Sequence, residues 1–107
     1  MKLALLLISF ALAANAYAGD PAKGQKKAAQ VCAACHGPDG NKPSAPDQPV
    51  LAGQYEDYLV RALSDYKNGR RNNAIMKGFA GQLSKQDIED LAAWFSSQPR
   101  TSLHDQR

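Results

Sequence analysis

The sequence of 107 residues predicts an all-α fold: three main helices with long loops between them. Two observations carry that expectation. Apolar residues recur at spacings of three and four along two segments, the period of a helix face, while a third segment opens on a helix-capping pair. No segment alternates apolar and polar residues in the manner of a strand.

Ahead of the first helix stands Met1-Lys2, an apolar run from Leu3 to Ala14, and the small-residue site Ala16-Tyr17-Ala18. This is the pattern of a secretory leader over residues 1–18, with cleavage after Ala18 and the periplasm as destination. The run is shorter than the roughly 20 apolar residues a membrane span requires, and no second run follows. What remains is one domain over residues 19–100 and a polar tail over 101–107. A chain of that size builds a marginal apolar core, so a cofactor or metal is expected to supplement it.

The first helix is expected from Pro21 to Cys35, with Asp20 capping its open N–H groups and Pro21 at the first position, where a missing N–H costs nothing. The second is expected over residues 54–68. There Tyr55, Tyr58, Leu59, Ala62, Leu63 and Tyr66 form one apolar stripe, and Gly69 follows Asn68 as a stop. The third starts after Ser84, whose hydroxyl and the Asp87 carboxylate three residues on make a capping box. Ile88, Leu91, Ala92, Trp94 and Phe95 supply its buried face, and Pro99 follows its end. Two long loops separate these helices: 37–53, with Pro38, Pro43, Pro46 and Pro49, and 70–83, with Gly78 and Gly81 around Met76. Loops this long in a small domain are usually functional, and both suit a backbone wrapped around a flat ligand.

Charge excludes one class of partner. Thirteen Lys and Arg against ten Asp and Glu give a net +3, and Lys2 belongs to the leader, so this is no nucleic-acid-binding composition. Basic residues do gather at Lys23, Lys26 and Lys27 and at Arg70, Arg71 and Lys77, as solvated faces or as a docking surface for an acidic partner.

Chemistry concentrates at Cys32-Ala33-Ala34-Cys35-His36. Residues at i and i+3 share one side of a helix, so both sulfurs can reach one object. Cys-x-x-Cys-His is the pattern of c-type haem attachment, in which each thiol adds across a vinyl group and the histidine lies under the iron. A thioredoxin-like dithiol wants a βαβ context that is absent here. Structural zinc wants four ligands, and the expected mature chain offers only Cys32, Cys35, His36 and His104. A disulfide across two residues would close too small a loop to stabilise much. For the second axial iron ligand the candidate is Met76, the one methionine besides Met1, set between the second and third helices. His104 in the tail and an open site are the alternatives. Methionine raises the haem potential relative to two histidines, and a six-coordinate iron leaves no place for a substrate.

With Cys32-Ala33-Ala34-Cys35-His36-Gly37-Pro38-Asp39-Gly40, Leu51-Ala52-Gly53-Gln54, Tyr58-Leu59, Gly69-Arg70-Arg71, Met76, Leu83-Ser84 and Leu91-Ala92-Ala93-Trp94-Phe95 in this order, the sequence resembles the class I c-type cytochromes, and within them a single domain of the dihaem cytochrome c4 group. The resemblance implies the cytochrome c fold around one covalent haem c, with first and last helices crossing where Gly24 meets Trp94. It implies that a proline carbonyl, Pro49 first and Pro46 second, orients the ring of His36, and that Arg71 meets a haem propionate. The single motif implies a monohaem, monomeric one-electron carrier, not an enzyme, working between redox partners such as a cytochrome bc1-type donor and a terminal oxidase or reductase acceptor. A small haem enzyme or gas sensor with an open iron, and a haem subunit of a larger dehydrogenase, are the competing readings.

Overall fold

The computed structural model describes residues 19–101 together with Ala4 and Ile8. The rest of the expected leader, and the tail after Thr101 with His104, lie outside the described residues. The described chain forms α1 (Pro21–Val31), α2 (Ala33–His36), α3 (Glu56–Asn68), α4 (Ala74–Ala80) and α5 (Lys85–Ser97), with no strand among the described residues. None of these helices is long and apolar enough to cross a membrane.

Local capping explains most of the boundaries. The Asp20 carboxylate accepts from the N–H groups of Ala22 (2.9 Å) and Lys23 (3.4 Å) at the start of α1. Ser84 and Asp87 close the capping box of α5: the Asp87 N–H donates to Ser84 Oγ at 3.0 Å and the Ser84 N–H to Asp87 Oδ2 at 2.9 Å. Gly69, at φ 75°, supplies the left-handed turn that ends α3.

Three expectations need correction. The first helix does not run unbroken to Cys35. It kinks at Cys32 (φ −112°, ψ −31°) and resumes as the single turn of α2. The reason is tertiary: the carbonyls of Cys35 and His36 accept the N–H groups of Ser44 (2.9 Å) and Lys42 (3.2 Å), so the last turn is bonded to the loop. The second helix begins at Glu56, because Tyr55 keeps an extended backbone. The 70–83 loop contains a helix, α4, capped by Asn73, whose side chain accepts from the N–H groups of Ile75 and Met76 at 3.1 Å each. Met76 therefore sits on a helix, not in a loop.

Helices α1 and α5 cross at a glycine. A Cβ on Gly24 would stand 1.9 Å from the carbonyl oxygen of Asp90 and 2.9 Å from Cβ of Trp94, so only hydrogen fits there. The core beneath this crossing is Ala28, Leu59, Leu83, Ile88, Leu91, Ala92 and Phe95. Of the face expected on the last helix only Trp94 is half-buried, its Cβ facing Gly24 at the crossing. Asp90 is buried as well, and its carboxylate is satisfied by the Asp20 N–H and the Gln86 amide, both at 2.8 Å.

The 37–53 loop is tied to the end of α5. Buried Asn41 donates to Asp39 Oδ2 and to the carbonyl of Pro99, each at 3.0 Å, and accepts the Thr101 N–H at 2.9 Å. The Gly53 N–H donates to the carbonyl of Phe95 at 2.9 Å, and Arg100 Nε to that of Ala52 at 3.0 Å. These bonds hold the loop as one wall of a cavity.

Candidate functional site

The helices and the loop enclose a cavity of about 400 Å³, well within the range of small-molecule and cofactor sites. Cys32, Cys35, His36, Pro49, Arg71 and Met76 all line it, although they come from α1's end, α2, the 37–53 loop, the segment after α3, and α4. The remaining wall is mostly aliphatic and aromatic.

The Pro49 carbonyl lies 2.9 Å from Nδ1 of His36. A carbonyl can only accept, so Nδ1 carries the hydrogen, and Nε2 is left with a free lone pair able to bind a metal. Pro46 makes no such contact with the ring among the described bonds. His36 is buried, which fixes the imidazole in one orientation.

Cys32 and Cys35 are free and half-buried. Burial pushes the Cys32 thiol up to about 11. A disulfide oxidoreductase needs the reverse, a thiol lowered toward neutrality, so this environment speaks against the redox-dithiol reading. Among the described residues no cluster of three or more His, Cys, Asp or Glu is placed to hold a metal.

The tyrosine stripe of α3 turns to the cavity. Leu59 alone is buried in the core, while Tyr58, Ala62, Leu63 and Tyr66 line the cavity wall. Tyr55, at 78 % exposed, faces away. Arg71 reaches across this wall: its Nη1 donates to the Tyr58 hydroxyl at 3.4 Å, and its guanidinium lies 4.8 Å from the centre of the Tyr66 ring. Ile75 and Phe79 line the cavity and also reach the surface, forming an exposed apolar rim.

The family model for cytochrome c matches residues 21–99. The chain belongs to the cytochrome c family. It is 52 % identical over 94 residues to cytochrome c4 of Pseudomonas aeruginosa, a match covering 87 % of this chain and 46 % of that protein. It is 45 % identical over 84 residues to cytochrome c-554(548) of Halomonas halodenitrificans, covering 76 % of this chain and 99 % of that one. Among solved structures, reduced recombinant cytochrome c4 from Pseudomonas stutzeri superposes with a TM-score of 0.72 at 48 % identity, over 78 % of this chain and 48 % of that chain. The chain thus spans about half the length of the cytochrome c4 relatives it matches.

A cytochrome c domain carries haem c covalently. The cavity fits that group on its own evidence: two reduced thiols three residues apart, an imidazole whose free nitrogen its carbonyl partner dictates, and a thioether on the same apolar wall. Sequence reasoning overlooked several residues of this cytochrome c site. Asn73 was legible as a cap but was masked by the glycines that follow it. Tyr58 and Tyr66 were legible as apolar yet not as cavity lining, because periodicity reports a face and not what covers it. Gln48, which lines the cavity, carries no pattern at all, nor does Asn41, which holds the loop behind it.

Proposed function

We propose that this cytochrome c domain is a periplasmic one-electron carrier, with haem c attached through Cys32 and Cys35 and the iron held by His36 and Met76. It matures by loss of residues 1–18, leaving the domain 19–100 and the tail 101–107. The observation that carries the proposal is the hydrogen bond from Nδ1 of His36 to the Pro49 carbonyl on a cavity wall shared with both thiols and Met76.

Haem iron supplies a reversible ferric and ferrous couple when bound. The chain's own residues decide what that couple does. The Pro49 carbonyl holds the imidazole in one plane and strengthens it as a donor. Met76, anchored on α4 by the Asn73 cap, would offer the iron a soft ligand that favours the reduced state. Val50, Leu51, Leu59 and Phe95 exclude water from the cavity. Arg71, already braced by Tyr58 and Tyr66, meets a propionate with its remaining donors. The exposed rim of Ile75 and Phe79 offers a small contact to donor and acceptor proteins, a cytochrome bc1-type donor and a terminal oxidase or reductase, of the kind suited to brief encounters.

Carbon monoxide tests this against an open-iron enzyme or sensor. The ferrous wild-type protein should resist carbon monoxide at neutral pH, and its ferric form should show the weak far-red band of sulfur ligation. Met76→Ala should abolish the band and admit the gas. Ready binding to wild-type protein would replace the carrier with a protein that acts on a ligand.

A further inference from the structure

We propose that Gln48 is a positioning residue for His36, acting through the Pro49 carbonyl; the proposal rests on the reading of His36 as an iron ligand. The peptide between Gln48 and Pro49 lacks an N–H, as does the one before Pro46, so this stretch has few backbone donors with which to anchor itself. Pro49 is itself exposed, while Val50, which shares the peptide of its carbonyl, is buried.

The Gln48 side chain compensates. Its Oε1 accepts from the Ser44 N–H at 2.9 Å, the Ser44 hydroxyl at 2.8 Å and the Ala45 N–H at 3.1 Å, while the backbone N–H of Gln48 donates to the Ala45 carbonyl at 3.1 Å. The Ser44 N–H is shared, for it also lies 2.9 Å from the carbonyl of Cys35. A closed ring results. It runs from His36 to the adjoining Cys35 carbonyl, across to Ser44, through the Gln48 amide to Pro49, and back through the Pro49 carbonyl to Nδ1 of His36. Gln48 is the one side chain that closes it, and it lines the same cavity.

Opening the ring frees the Pro49 carbonyl to move and weakens its hold on the imidazole hydrogen. A less polarised imidazole is a poorer donor to ferric iron, so the reduction potential rises.

The test uses the haem-loaded protein. Proton NMR reads the solvent exchange of the His36 Nδ1–H against that of the Leu91 and Ala92 amides in the core of α5, and voltammetry reads the potential. Gln48→Leu should speed the ring N–H exchange about tenfold relative to those amides, the scale of one lost hydrogen bond, and raise the potential. Gln48→Glu keeps the acceptor and should stay within about twofold of wild type. Should Gln48→Leu fail to retain haem, Gln48→Asn, one methylene shorter, is read in its place with the same expectation. Unchanged exchange, or equal acceleration by Leu and Glu, would overturn the proposal, since a merely structural role lowers the melting temperature without singling out this hydrogen. Ring protons of His36 that show no paramagnetic shift in wild-type ferric protein would overturn the ligand reading and this proposal together. Shifted wild-type signals that ignore Gln48→Leu would overturn this proposal alone.

Discussion

The indole N–H of Trp94 donates to the carbonyl of Pro38 across 3.1 Å, joining the last turn of α5 to the residue two past His36. A helix face expected to be simply apolar thus also holds the loop that carries the site. Trp94→Phe keeps an aromatic side chain and removes the donor. We expect a loss of about 1 kcal/mol, a drop of roughly 5 °C in Tm for a domain of this size, measured by circular dichroism on haem-loaded protein. An unchanged Tm would mean that water satisfies Pro38 equally well.

Glycines 24 and 78 should respond to alanine in opposite directions. At Gly24 the added Cβ meets the Asp90 carbonyl at 1.9 Å, which only separation of α1 from α5 can relieve, and a destabilisation of about 3 kcal/mol or more is expected. At Gly78, inside α4, nothing lies within 4 Å, so alanine should stabilise by about 0.5 to 1 kcal/mol through helix propensity. Denaturant titrations of both variants check the pair.

Asn41→Ala should cost about 2 to 3 kcal/mol, because it strands the Pro99 carbonyl and the Thr101 N–H that the amide now satisfies. The loss should be local before it is global. Faster amide exchange at Thr101 than at Leu91 is the expected signature.

Acid should weaken the start of α5. The Ser84 N–H bonded to Asp87 holds that carboxyl below its ordinary value of 3.8. A lowered folded value means that the charged form favours the folded state. Its contribution is complete above 3.8 and fades as pH falls through the lower folded value. Asp87→Asn should therefore melt below wild type at pH 6, with the gap closing toward pH 2. A gap of constant size would assign the effect to shape and not to charge.

Removing the covalent anchor should expose how much of the fold depends on haem. Around a cavity of about 400 Å³ the small core has little left to hold it together, so Cys32→Ala/Cys35→Ala protein made without haem should lose cooperative thermal unfolding. A sharp calorimetric transition would contradict this.

By itself the sequence determined what depends on neighbours a few residues apart. The Asp20 cap, the Ser84 and Asp87 box, the Gly69 stop and the cysteine pair with its histidine are all short-range patterns, and the helical class follows from them. Only the tertiary structure decided the kink at Cys32, the turn of the α3 tyrosines toward the cavity, and the roles of Asn41 and Gln48. The physical reason is range. A cap or a helical period is satisfied within one turn of chain, whereas the direction a carbonyl faces and the object a stripe covers are fixed by partners brought from tens of residues away.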